Sequence, residues 1–289
     1  MLLRAFAKIN WSLDITGVRA DGYHIMDMVM QPVSLADDIR LTAAPDLSIF
    51  TDGYPPSRAD ATNLAYRAAD LLRTSYHIKQ GVHIDLHKRI PMGAGLGGGS
   101  ADAAAVLYGL NRLWDLRLTQ EKLESLGLSL GADVPFCLRG GLARTGGIGE
   151  QLENRPFKAS YWLLLIQPCR GLSTRQIYTA WNASEVRSRP DTENVLRALA
   201  EGDPALLSSS IGNVLEPVSS AACPEIPEAV SALLSAGAFA ARMTGSGSVV
   251  FGAFRSGALA EKAYAALSGR YRTIHLCHTQ SDSIRILED

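Results

Sequence analysis

Residues 93–102 read Gly-Ala-Gly-Leu-Gly-Gly-Gly-Ser-Ala-Asp and run straight into an apolar periodic segment, residues 103–114. Glycine lacks a Cβ, so such a loop can turn several N–H groups onto a ligand. A helix start adds unpaired donors and positive dipole charge. The chemistry this suits is phosphate binding. Ser100 is the expected N-cap, with Asp102 in the first turn and Val106, Leu107, Leu110, Leu113 and Trp114 along one face. Upstream, Val82, Ile84 and Leu86 alternate with His83, Asp85 and His87, which predicts a half-buried strand ending at Ile90-Pro91. The two histidines and Asp85 share a strand face and read as solvated rather than as a metal set. A strand, a glycine loop and a helix in that order form a phosphate cradle rather than a linker.

Two other glycine motifs fit less well. The loop lacks the Lys-Ser/Thr of a Walker-type loop. Gly93, Gly95 and Gly98 match the spacing of a dinucleotide fingerprint, but that motif needs a following strand that ends in an acidic residue. Residues 116–130 instead predict a second helix, with Thr119 as its cap and Glu121 in its first turn.

Four further stretches carry polar groups, three of them with glycine: residues 7–10 (Ala-Lys-Ile-Asn), 21–24 (Asp-Gly-Tyr-His), 131–135 (Gly-Ala-Asp-Val-Pro) and 244–248 (Thr-Gly-Ser-Gly-Ser). Lys8 and Asn10 share a strand face because they are two apart. Taken singly, Lys8 reads as an edge-strand charge and Asp133 as a helix cap. Taken in order, with the glycine loop between them, these stretches resemble the GHMP kinases from about residue 4 to about residue 254. The Asp-Gly-Tyr-His element resembles the branch that phosphorylates the 2-hydroxyl of a cytidine-diphosphate-linked methylerythritol in isoprenoid precursor synthesis. A homoserine- or mevalonate-type kinase, or a non-catalytic nucleotide-binding protein on the same fold, are the alternatives.

The resemblance implies an α+β, two-domain GHMP kinase fold with the active site in the cleft between the domains. Residues 1–155 would form a ribosomal-protein-S5-domain-2-like half, and residues 156–289 a ferredoxin-like α/β sandwich. It also implies ATP and Mg²⁺ as cofactors. ATP would lie on Pro91, Met92, Gly93, Ala94, Gly95, Leu96, Gly97, Gly98, Gly99, Ser100 and Ala101, with Asn63 and Lys88 near its base and ribose. From the residues alone, these last two read as a helix-start amide and a solvated lysine. Asp133 would take the proton of the attacking hydroxyl, and Lys8 would hold that carboxylate ionised. Tyr23 and Tyr178 would sandwich the cytosine, His24 and Asn10 would hydrogen-bond the substrate, and Thr244 and Gly245 would approach from the second domain. Ser100 is the candidate metal contact. Ala94 and Ala101 depart from the glycine and serine frequent in the family.

The rest of the chain must position these groups. Residues 4–15 and 25–35 predict strands around a turn at 17–22, with shorter strands at 39–41 and 47–50. Met26, Met28 and Met30 fall on one face and read as core filling. Residues 60–76 predict a helix, and 140–144 and 148–152 predict strands. A polar stretch at 153–160 marks the domain boundary. Beyond it, strands are predicted at 161–167, 239–243, 249–254 and 273–278, and helices at 174–181, 193–200, 226–235 and 259–267, a mixed order that argues α+β.

At 289 residues with 47% hydrophobic content, the chain can bury about three quarters of its unfolded surface. A net charge of −1 gives no pull toward nucleic acid or membrane, so the expected partner is a small molecule. Cys137, Cys169, Cys223 and Cys277 form no Cys-x-x-Cys pair and read as reduced thiols, neither a zinc site nor a disulfide framework. Residues 161–166 are too few to span a bilayer, and Arg4 and Lys8 interrupt any signal-like stretch. A cytoplasmic protein, monomer or weak homodimer, is expected.

Overall fold

The computed structural model describes residues 1–53 and 59–289. In chain order its elements are β1 (Leu2–Val18), β2 (His24–Ala44), β3 (Ser48–Gly53), α1 (Leu64–Ser75), β4 (Gly81–Lys88), α2 (Gly98–Leu113), α3 (Gln120–Leu128), α4 (Val134–Arg139), β5 (Leu142–Gly146) and β6 (Gln151–Arg155). There follow β7 (Trp162–Gln167), α5 (Thr174–Ala180), α6 (Thr192–Glu201), α7 (Pro204–Ser210), β8 (Gly212–Asn213), α8 (Glu216–Ala222), α9 (Glu225–Ser235), β9 (Ala240–Met243), β10 (Val250–Phe254), α10 (Gly257–Leu267), β11 (Thr273–His278) and β12 (Ile284–Glu288).

Two sheets organise the chain. The larger runs β12-β1-β2-β4-β3, with β5 and β6 branching from β2 and β8 paired to β1. The smaller has the order β11-β7-β10-β9 and is antiparallel throughout, which is the strand order of the ferredoxin-like unit. Its last strand leads back to the first sheet, where β12 pairs with β1. Strand β12 and helices α4, α7 and α8 were not predicted, because each is short and shows little periodicity of its own. The strand expected at 39–41 is continuous with β2.

One irregularity in β1 bears on everything that follows. Leu3 and Ala5 pack with α1 and α2, Ala7, Ile9 and Trp11 pack with the second sheet, and Leu13 and Ile15 return to the first cluster. All are odd positions, so plain alternation would keep them on one face. Register shifts against β2 between Phe6 and Lys8 and between Asn10 and Ser12 bracket the change. Such bulges re-aim side chains. Here they turn the even positions Lys8 and Asn10 toward the helical side.

The cysteine expectation needs correcting. Cys169, after β7, and Cys223, at the end of α8, form a disulfide across 54 residues, while Cys137 and Cys277 are free and buried. The fold brings the paired Cα atoms to 6.5 Å, within disulfide reach, and nothing in their sequence spacing could show that. No helix among the described residues is long and apolar enough to cross a membrane.

Candidate active site

Helix α2 begins inside the glycine run. Its cap position is Gly97, in the left-handed region at φ 69° and with no side-chain cap bond. Ser100, expected as the cap, lies instead in the first turn, so no side chain answers the first helical N–H groups. That leaves them open toward an anion. The loop before the helix is held by its own backbone: the Leu96 carbonyl accepts the Lys8 N–H at 3.0 Å, and the Ala94 carbonyl accepts the Val249 N–H at 3.2 Å. A Cβ on Gly95 would fall 2.1 Å from the Thr244 carbonyl oxygen, so this contact between the halves admits only glycine.

The loop, β1 and the start of α4 converge. Lys8 Nζ donates to Asn10 Oδ1 at 2.7 Å and stands 3.5 Å from Asp133 Oδ2. A Cβ on Gly97 would lie 3.1 Å from Lys8 Cγ and 3.7 Å from Asp133 Oδ2. Lys8 is 4% exposed on an interior strand, not an edge. Asp133 occupies the cap position of α4, yet its side chain makes no cap bond. A carboxylate that forgoes its helix and faces an ammonium has been placed for something other than capping.

A second buried lysine lies under the same loop. Lys88 Nζ donates to Asp37 and, at 2.6 Å, to Asp102 Oδ2. The solvated reading of Lys88 is therefore wrong, because β4 directs it inward, where two carboxylates compensate its charge. Burial pulls the Lys88 pKa down, but Asp102 and Asp37 more than reverse this and it ends raised. Burial, with the like charge of Asp37, pushes the Asp102 carboxyl up against the pull of Lys88. Asp37 also accepts the backbone N–H groups of Arg89 and Ile90, fixing the approach to the loop.

All of this opens into a cleft of about 1170 Å³. Of the anticipated residues, Lys8, Asn10, Tyr23, His24, Asn63, Lys88, Ser100, Asp133, Tyr178 and Gly245 line it, with Pro91, Met92, Gly93, Ala94, Gly95, Gly97, Gly98 and Gly99. Leu96, Ala101 and Thr244 do not: all three are buried, Leu96 and Ala101 in the apolar clusters. Thr244 instead ties the halves together, its hydroxyl accepting the Asn10 N–H at 2.9 Å. Asn63 caps α1, accepting the Ala65 N–H at 2.9 Å, and faces the cleft as well.

Opposite the loop stands an aromatic group. The His24 ring lies 5.4 Å from Tyr178 and 5.4 Å from Trp181. Burial lowers the His24 pKa and raises that of Tyr178, keeping both rings neutral at pH 7. Tyr23 is 60% exposed at the rim.

Several lining residues escaped the sequence reading. Met26 and Met28 line the cleft rather than only filling core, and Met28 Sδ accepts from Asn10 Nδ2 at 3.4 Å. Arg175 and Thr179 stand on α5 beside Tyr178. Helical spacing about Tyr178 was the available signal. His83 and His87 do lie on a strand face away from the cleft, bonded to Ser48 and Asp52 of β3.

Comparison with known proteins agrees with this geometry. The models of the GHMP kinases N-terminal domain and of the GHMP kinases C-terminal domain match residues 63–141 and 195–273. A 4-diphosphocytidyl-2-C-methyl-D-erythritol kinase of Alkaliphilus metalliredigens is 43% identical over 282 residues, 96% of each chain. One of Brevibacillus brevis is 40% identical over 92% of each. The crystal structure of a 4-(cytidine 5'-diphospho)-2C-methyl-D-erythritol kinase superposes with a TM-score of 0.83 at 33% identity, over 97% of this chain and 100% of that one. A homoserine kinase from Cytophaga hutchinsonii, at 18% identity and a TM-score of 0.77, shares the fold over 99% of this chain and 97% of its own. The chain belongs to the GHMP kinase family, in the branch of these 4-diphosphocytidyl-2-C-methyl-D-erythritol kinases.

Proposed function

We propose that the protein transfers the γ-phosphoryl group of ATP to the 2-hydroxyl of 4-diphosphocytidyl-2-C-methyl-D-erythritol, releasing ADP, as a step of isoprenoid precursor synthesis. The observation that carries this is the meeting of Asp133, Lys8 and Gly97 in one cleft. Phosphoryl transfer asks mainly for positioning and charge neutralisation. The glycine loop and the free N–H groups of α2 take the ATP phosphates, while Asn63 and Lys88 bound the base and ribose end. Asp133 accepts the proton of the attacking hydroxyl. Lys8, held by Asn10, stands 3.5 Å from that carboxylate and offsets charge developing on the acceptor oxygen. Tyr23 and Tyr178 offer aromatic faces to cytosine, and His24, as a neutral ring, hydrogen-bonds its edge.

Mg²⁺ belongs to this reading, and the donor set fits it. The first turn of α2 carries the Ser100 hydroxyl; Asp102, expected in that turn, falls just beyond it because the helix starts at Gly98, and its buried Oδ1 has no hydrogen-bond partner among the described residues. Magnesium takes such hard oxygens together with phosphates and water, and when bound it supplies neutralisation of phosphate charge. The same reading divides the chain at residue 155/156, with β12 returning to the first domain. It also takes the enzyme as a cytoplasmic monomer or weak homodimer, where the Cys169–Cys223 disulfide faces a reducing pool.

The test is direct. Purified protein with ATP, Mg²⁺ and the cytidine-linked substrate should form ADP and the 2-phosphate. No ADP above background, or equal turnover of homoserine or mevalonate, would overturn the assignment.

A further inference from the structure

We propose that Arg175 binds the diphosphate of the acceptor substrate and sets the preference for a diphosphate-linked cytidine over the bare nucleoside. This rests on the cytidine reading above. Three cationic side chains of lysine and arginine line the described cleft, and two are already matched. The Lys8 ammonium faces Asn10 and Asp133, and that of Lys88 lies between Asp37 and Asp102. Among the described residues, Arg175 lines the same cleft with no carboxylate or hydrogen-bond partner. The acceptor carries two phosphates that neither the glycine loop nor the aromatic group accounts for.

The position of Arg175 fits that demand. Helix α5 is anchored at its start by a 2.9 Å hydrogen bond between the hydroxyls of Thr174 and Ser246, and the preceding Gly171 packs on the backbone of Gly93. Toward its end, Tyr178 meets His24 at the cytosine position. Arg175 is one helical step from Tyr178 on the same face, about 4.5 Å nearer the glycine loop along the axis. A substrate with its base at Tyr178 and its reacting hydroxyl at Asp133 must carry its diphosphate between those ends. A guanidinium there can meet phosphate oxygens in a bidentate fork that a lysine cannot reproduce.

The ATP polyphosphate is the other source of the same chemistry, and the experiment separates the two. Binding of cytidine diphosphate, cytidine and a non-hydrolysable ATP analogue is titrated on the wild type, Arg175→Gln and Arg175→Lys. Arg175 is exposed and has no partner among the described residues, so a thermal-unfolding control should show unchanged folding. Losing one charged contact should weaken cytidine diphosphate about tenfold in Arg175→Gln, leave cytidine and the analogue unchanged, and be partly rescued in Arg175→Lys. Equal cytidine diphosphate affinity in all three proteins, or a loss confined to the ATP analogue, overturns the proposal. A wild type that takes neither cytidine ligand overturns the functional reading as well, and is recognised by failing before any substitution is made.

Discussion

Two buried lysines lie beneath one glycine loop, and they are built differently. Lys88 is clamped by Asp37 and Asp102, both as buried as itself, and Asp37 also holds the backbone at Arg89 and Ile90. Lys8 meets a single carboxylate at the longer distance of 3.5 Å, and the Asp133 side chain remains one-third exposed to the cleft. A lysine whose ammonium is shared between two buried carboxylates is part of the scaffold, because its protons are committed to Asp37 and Asp102 and only the second oxygen of Asp102 is left for a ligand. A lysine with one open, loosely held carboxylate leaves that oxygen able to exchange its partner for a substrate hydroxyl. Charge burial alone thus does not mark a catalytic site; the openness of the partner does.

This contrast can be broken experimentally. Asp133→Asn removes the base without disturbing a cap bond, so kcat should fall about 10²–10⁴-fold, with ATP affinity and the urea midpoint near wild type. Single-turnover ADP formation beside a denaturation curve measures both. Lys88→Met should do the reverse, stranding two buried carboxylates at a cost of about 3–5 kcal/mol in urea unfolding, whereas Lys8→Met should lose turnover with less loss of stability. If the two lysine variants lose stability equally, the distinction drawn here fails.

Smaller effects sharpen it. Gly97→Ala puts a Cβ in the left-handed region and 3.1 Å from Lys8 Cγ, which should cost about 1–2 kcal/mol, seen as a weaker ATP affinity in titration. The smallest effect concerns His24. Its folded pKa lies below the ordinary 6.5, so the ring is neutral above pH 6.5 and takes a proton only as pH falls through the depressed value. The KM for the cytidine substrate should therefore be flat from pH 7 to 6.5 and rise a few-fold at lower pH, and His24→Gln should remove that acid-side rise.

Much of this was legible along the chain. The glycine run ahead of apolar periodicity marked an anion site because its physics is local: backbone without Cβ, then a helix start. Thr119 was predicted as a cap and does accept the Lys122 N–H, a bond that spans three residues. Ser100 failed as a cap for the same kind of reason, since the glycines before it can enter the helix themselves and displace the start to Gly98. Lys88 was misread because strand alternation assigns a face without saying what covers it. The core reading of Met26, Met28 and Met30 holds, since all three are buried in the larger apolar cluster, but periodicity does not show that Met26 and Met28 also border the cleft.

What the amino-acid order determined by itself is the set of parts: the loop, the flanking strand and helix, and the candidate acid–base pair, all matters of neighbours within a few residues. Tertiary structure alone decided which parts meet. The bulges in β1 swing Lys8 and Asn10 to the helical side, the start of α4 presents Asp133 to them across 125 residues of chain, and the second half of the chain brings Gly245 and, on α5, Arg175 to the same cleft. Proximity across such separations follows from how the sheets and helices pack, and no local rule carries that information.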